Sequence, residues 1–382
     1  MRLGTATAER RSPAGISRRA ERWLDGGFAL VLVALTVGWS WAIADARRQA
    51  LGGAHEAGVT PVTARIAAAL TRREAPTASY VAERAIAAFI PDRGASGKLR
   101  VVIREPGAAF DGDGLPAGAR VTFAPGASEA SVDPAMADTW PVADSGRAPG
   151  APGVWSVLLA AGQAIRPVAD FSFITTRPLA ARRRGRIGRY YVGTWPTERT
   201  PRRGYRTPRG LVEVTPRNQD TPLSEHFLLR DFLTKGQRGV WPKYVAVDTR
   251  LIDKLELVLI DLERQGVASD GITVMSGFRT PQYNVAGGDP RGRASYSRHM
   301  YGDAADVFID NDDDGRMDDL DRDGRIDVRD ARVIAAAADR VERRHPTLAG
   351  GVGVYAGTSG HGPFVHIDTR GHRARWTGEG DR

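Results

Sequence analysis

Cysteine is absent from all 382 residues, which excludes disulfides, a thiolate nucleophile and any metal site built on sulfur. Histidine is scarce, with seven in the chain, so a lone one reads first as structural. Long apolar runs are scarce as well. Only Gly26 to Ala44 stays free of charge over about 19 positions, the length that crosses a bilayer as a helix. Zinc-knuckle and RRM-like signatures are missing, so the formal net charge of +9 comes without a nucleic-acid motif and no nucleic-acid partner is expected. A basic excess still raises the local concentration of any polyanion, including anionic lipid and anionic wall polymers. The simpler reading is solvated faces together with a membrane-flanking cluster.

What is present begins with that cluster. Arg10, Arg11, Arg18, Arg19 and Arg22 precede the apolar run, so the positive-inside rule predicts a cytoplasmic tail over 1–25, a transmembrane anchor over 26–44 and export of the remainder. Trp39 and Trp41 then fall near the outer interface. Ala42-Ile43-Ala44 is also a small-residue pattern open to signal cleavage, which leaves a secreted form as the alternative.

Residues 45–95 read as a linker, helical in part around Ala82 to Ile90 (AERAIAAFI). Over 96–180 the pattern changes to short β-like runs, Leu99 to Arg104, Ala119 to Phe123, Val154 to Ala160 and Phe171 to Thr175, punctuated by Gly, Pro and Asp. Such spacing predicts a small β-sandwich. A basic connector occupies 181–222, with Tyr190 and Tyr191 in a short strand. From 223 to 380 the pattern is α+β. Ile252, Leu255, Leu259 and Leu262 recur at helical spacing with Gly266 as a stop. A strand over Ile272 to Met275 leads into Ser276-Gly277-Phe278-Arg279-Thr280, a second helix covers Asp330 to Arg344, and Val352 to Tyr355 and Phe364 to Asp368 read as closing strands.

His299 and Asp306 stand seven apart in SRHMYGDAADV, and His366 lies in the β-like run FVHID. Two imidazoles and one carboxylate suit a catalytic zinc ion, because three protein ligands leave a fourth position for water. A metal there acidifies that water and polarises a carbonyl, as amide hydrolysis requires.

Three segments resemble the LAS metallopeptidases, the group of lysostaphin-type enzymes, D-alanyl-D-alanine peptidases and the hedgehog fold: Ser276 to Asn284, His299 to Asp306, and GGVGVY (350–355) leading into Phe364 to Trp376. The similarity is to the D-Ala-D-Ala carboxypeptidase-like branch, murein endopeptidases included, and covers about 150 residues with the motifs in order. It implies zinc held by His299, Asp306 and His366. It also implies a substrate-binding Arg279, whose planar fork suits a peptide carboxylate; a buried structural salt bridge is the other reading of that arginine. Ser276 reads as shaping the turn, and Tyr355 and Trp376 as framing the cleft or its underlying core. The activity implied is a peptidase for peptidoglycan peptides, single-pass in a bacterial inner membrane with its catalytic part in the periplasm.

The chain departs from that branch at one position. Carboxypeptidase members often carry Glu three residues before the last histidine; here Pro363 stands there. Two residues can substitute. Asp368 shares a strand face with His366, as a base or as a group orienting that ligand; His361 can serve as an auxiliary that stabilises the transition state or moves protons. The departure keeps open an inactive domain that only binds wall peptides. A further alternative makes the β-region and connector the functional part.

A second metal signal lies at 310–330. Asp310, Asp312, Asp314 and Asp318, then Asp319, Asp321, Asp323, Asp327 and Asp330, repeat the carboxylate spacing of an EF-hand-like loop, with Gly at the sixth position of each. Acids this dense repel one another without a cation, so calcium is the expected structural ion. Asp330 in place of the usual Glu at position 12 predicts modest affinity.

Overall fold

A computed structural model describes residues 93–109, 119–125, 147–161, 164–287, 293–358 and 360–378. The apolar run at 26–44 and the helix expected around Ala82 to Ile90 lie outside the described residues. Among the described residues no helix is long and apolar enough to cross a membrane.

The first sheet comprises β1 (Val101–Arg104), β2 (Ala119–Pro125), β3 (Gly153–Ala161) and β4 (Ala164–Thr175), in the order β1-β4-β3-β2. β1 runs parallel to β4, and the other pairs are antiparallel. The sandwich expected here is a single sheet among the described residues. Its Val101, Val154 and Ile174 enter the same core as the C-terminal elements. Alternation along a strand shows that a face must be covered, but not by what.

The stretch read as a connector is equally part of the core. β5 (Arg177–Pro178), β6 (Arg186–Ile187), β7 (Tyr190–Tyr191), the single turn α1 (Pro196–Arg199), β8 (Gly210–Val214) and β9 (Lys243–Val245) follow in order. Ile187, Tyr190, Val192 and Trp195 are buried in the main cluster. Arginine density made this segment read as solvated, and its apolar anchors are too widely spaced to show a period.

The C-terminal unit holds α2 (Thr249–Arg264), β10 (Ile272–Ser276), α3 (Pro281–Ala286), β11 (Ala304–Ile309), α4 (Val328–Arg344), β12 (Gly351–Tyr355), β13 (Phe364–Asp368) and β14 (Ala374–Gly378). Asp248 caps α2 by accepting from the Arg250 amide, and Gly266 at positive φ follows its end. Leu251, Ile252, Leu255, Val258, Leu259 and Leu262 form its buried stripe. The sheet order is β10-β11-β13-β12-β14, antiparallel except for the parallel β12–β14 pair. Ala305, Val307 and Ile309 of β11 alternate with Ala304, Asp306 and Phe308. Val365 and Ile367 of β13 alternate with Phe364, His366 and Asp368. The first set in each strand is fully buried and apolar; the second brings its polar members to the opposite face.

Candidate metal centre

Register assembles the site. Ser276 pairs with Asp306, Asp306 with His366, His366 with Gly353, and Gly353 with Trp376. One transverse row therefore crosses all five strands, and residues directly opposite across antiparallel strands share a face. The glycine is what the row requires at its fourth place, since a Cβ on Gly353 would overlap the Trp376 indole. Trp376 lies 5.2 Å from the His366 ring and donates through Nε1 to the Tyr355 hydroxyl at 2.8 Å. Tyr355 stacks on Phe364 at 4.5 Å.

His299 arrives from a single helical turn, Arg298–Tyr301, that feeds β11 through Gly302 at φ 77°. That turn is pinned twice through its carbonyls. Trp195 Nε1 donates to Met300 O at 2.6 Å, and the Arg279 amide donates to His299 O at 3.1 Å.

His299 Nε2, Asp306 Oδ1 and His366 Nδ1 lie 3.0 to 3.2 Å from one another. Their other atoms decide what fits between them. His299 Nδ1 stands 2.7 Å from Gly277 O, and a carbonyl can only accept, so Nδ1 carries the proton and Nε2 a lone pair. His366 Nε2 faces Asp368 Oδ2 at 3.1 Å, which leaves Nδ1 as its lone pair. Three acceptors thus face one another in a buried site. Only a proton or a metal ion can sit among them, and ligand bonds of about 2.0 to 2.1 Å in a tetrahedron set ligand atoms about 3.3 Å apart. The donor set fits zinc.

Electrostatics agree at Asp306 and His299, whereas at His366 they favour the proton over the lone pair in the metal-free site. Burial works to push the Asp306 carboxyl up, but His299, His366 and Arg279 hold it well below the usual carboxylate range. Burial lowers His299. Burial also works to lower His366, where the hydrogen bonds to Asp306 and Asp368 prevail and raise it.

Of the residues expected at the site, Arg279 is present in a different posture. Its Nη2 donates to Asp306 Oδ2 and its Nε to Ser276 Oγ at 2.9 Å, so it orients Asp306 and Ser276 orients it. Asp368 meets His366 at Nε2 while Asp306 meets it at Nδ1, the contact that a group orienting the ring makes. Its carboxylate receives His366, the Gly351 amide at 2.7 Å and Arg370, all on the far side of the imidazole. Strand alternation predicted the shared face but not which ring nitrogen it meets. His361 shares the aromatic wall, 5.0 Å from Phe364, with Nδ1 held by Gly362 O.

Sequence reasoning missed Lys254. This fully buried lysine of α2 donates to Glu342 Oε1 at 2.6 Å and to Asp368 O at 2.7 Å. A lysine inside the apolar stripe of α2 was the available signal.

In the acidic repeat, Asp310, Asp312 and Asp318 form one group and Asp319, Asp321 and Asp330 another, each with oxygens within 4.8 Å. Asp314, Asp323 and Asp327 stand outside these groups. Asp314 accepts from the Arg316 amide, Asp323 pairs with Arg329, and Asp327 caps α4. Asp313 and Gly315 in the first loop and Arg322 and Gly324 in the second share positive φ, so the repeat holds in the backbone too.

Compared with protein-family models, with curated proteins and with solved structures, the chain matches none.

Proposed function

We propose that this chain is a zinc-dependent peptidase that hydrolyses amide bonds in peptidoglycan stem peptides or cross-links. The observation that carries the proposal is the buried His299, Asp306 and His366 trio, whose lone pairs converge while Gly277, Asp368 and Arg279 occupy their outer atoms. Zinc in that trio supplies an acidified water and a polarised carbonyl. The remainder falls to the chain's own residues. Asp368 and Gly277 O hold the two rings so that Nδ1 of His366 and Nε2 of His299 face Asp306, the orientation in which both would present a lone pair to a metal. Arg279 holds Asp306 ionised. Tyr355, Phe364 and Trp376 would give the peptide an apolar wall, and His361, edge-on to Phe364 with Nε2 free of a hydrogen bond among the described residues, is the candidate to move a proton.

Calcium in the two acidic loops completes the proposal as a structural ion. The loops leave β11 four residues after Asp306 and end in the cap of α4, so they brace the strand that carries a zinc ligand. The proposed setting is a single-pass anchor in a bacterial inner membrane, with the catalytic part outside.

The test is mass spectrometry of muropeptides after incubation with the full chain, zinc-loaded and in a non-ionic detergent, beside a His299→Ala control. New products absent from the control are expected, and the mass lost identifies the bond. Bound zinc with no product from any muropeptide favours the second reading, a peptide-binding domain without turnover. The specific observation behind that reading is that Pro363 stands where a base would and the Asp368 carboxylate is fully engaged.

A further inference from the structure

The segment from Leu179 to Arg209 leaves the body and returns to the same place. β5 pairs with β8, Pro178 opposite Gly210, and the Leu179 amide donates to Arg209 O at 2.7 Å. Within this closed loop stand ten arginines, no lysine, no aspartate and one glutamate, Glu198. Its inner side is anchored by Ile187, Tyr190, Val192 and Trp195 in the core. Cross-links keep its two halves together. Arg182 pairs with Glu198 and donates to Gly193 O at 2.7 Å, and the Thr197 and Thr207 hydroxyls meet at 2.7 Å.

That pairing uses the only internal acid. Arg209 lies 3.8 Å from Glu105. The other eight, Arg183, Arg184, Arg186, Arg189, Arg199, Arg202, Arg203 and Arg206, are exposed and have no carboxylate within 4.0 Å among the described residues. Eight like charges on one anchored loop repel one another, and a polyanion relieves that repulsion with release of its counterions. Next to the loop's base, a cavity of about 380 Å³ is lined by Arg104, Arg206 and Arg209 together with Thr176 and Tyr301.

The aromatic side chains identify the kind of polyanion. Arg186 covers Tyr191 at 4.6 Å, and Arg202 lies over both Tyr205 and Tyr296 at 5.2 and 4.8 Å. Single-stranded nucleic acid is held by open aromatic platforms on which bases stack, and here the loop's own guanidiniums take those faces. Of its large apolar side chains only Tyr191 is exposed, which offers little to the interior of a lipid bilayer. We propose that the 179–209 loop is a binding surface for a linear polyol-phosphate polymer, read through its phosphodiesters by arginine forks.

The experiment uses the full chain in a non-ionic detergent and measures fluorescence anisotropy with a labelled short poly(glycerol phosphate) over a salt series. The variant R189Q/R199Q/R203Q/R206Q changes four exposed side chains that make no hydrogen bond or ion pair among the described residues. Its control, R264Q/R325Q/R332Q/R343Q, loses the same net charge elsewhere. Expected is a Kd raised at least tenfold in the loop variant alone, with its log–log salt slope shallower by roughly 3, since each lost contact removes about 0.7. Equal loss in both variants, or no loss in the loop variant, overturns the proposal. So does tighter binding of single-stranded DNA of equal charge, or of phosphatidylglycerol vesicles, than of the polyol phosphate.

Discussion

Asp368 illustrates what one residue decides. It touches no ligand atom of the trio, yet it selects the tautomer of His366. Asp368→Asn offers either an oxygen or an amide to Nε2 and removes the bias. Such partners are worth about 10- to 100-fold in metal affinity, so a loss in that range is expected by titration against a chromophoric chelator, with the far-UV spectrum of the folded chain retained. At this scale the residues that come together were named through the resemblance, since spacing alone in a histidine-poor chain favours a structural reading, and the fold brings the three within hydrogen-bond distance of one another. Arg279 makes the buried salt bridge that was its alternative reading, with a partner the sequence did not name. Its guanidinium reaches Asp306 only because Ser276 and Asp306 are cross-strand neighbours, and register is not written in local pattern.

Among the elements, α2 does more than its apolar stripe implied. Asp253 accepts the Ala95 and Ser96 amides at 2.9 Å each, Lys254 reaches Asp368 O, Glu256 holds His226, and Asp261 receives Arg340 and Arg344 of α4. The helix and its length were readable from period and stop signal; its polar contacts were not, since each partner lies far away in sequence. Burial works to lower the Lys254 pKa, against the pull of Glu342. Lys254→Met removes one charged donor from Glu342, which keeps Arg373, Arg375 and the Gly350 amide, and a hydrogen bond to a charged group is worth about 1.5–3 kcal/mol. A fall of that order in urea unfolding is expected, with metal affinity falling as the Asp368 end of β13 loosens. The acidic loops give a second prediction at this scale. Calcium should raise the melting temperature of the wild type, as any ligand of the folded state does. The rise should shrink in Asp310→Asn and in Asp319→Asn, measured by scanning calorimetry.

For the whole molecule the relevant fact is a shared core. Residues from Leu99 to Ile367 contribute to one buried cluster, although the sequence divides readily into a β-region, a connector and a C-terminal α+β unit. Composition reports where turns and charges concentrate, while shared burial depends on shape, which explains why the C-terminal elements were legible and their junction with the first sheet was not. His226 sits at that junction. Its ring meets Glu256 at 2.8 Å, and its neighbour Leu223 accepts the Arg100 amide beside β1. The hydrogen bond to Glu256 raises the His226 pKa against the effect of burial. Its folded value therefore exceeds the unfolded value of about 6.5. The stabilisation is complete below that unfolded value and is lost as pH rises through the folded one. Melting temperature should thus decline on the alkaline side of about pH 6.5 more steeply in wild type than in His226→Gln.

The transverse row from Ser276 to Trp376 has a consequence for assembly. Each strand contributes one residue to it, and a one-residue slip of any strand turns that residue to the opposite face. A slip of β11 against β13 by a single step keeps most of the hydrogen bonds yet parts Asp306 from His366, so an ion that binds the trio discriminates between the correct and slipped alignments of those two strands. A zinc ion bound as proposed would be a proofreader of the sheet: it would add its binding energy to one alignment of β11 and β13 alone, and the amides of those two strands should then exchange last.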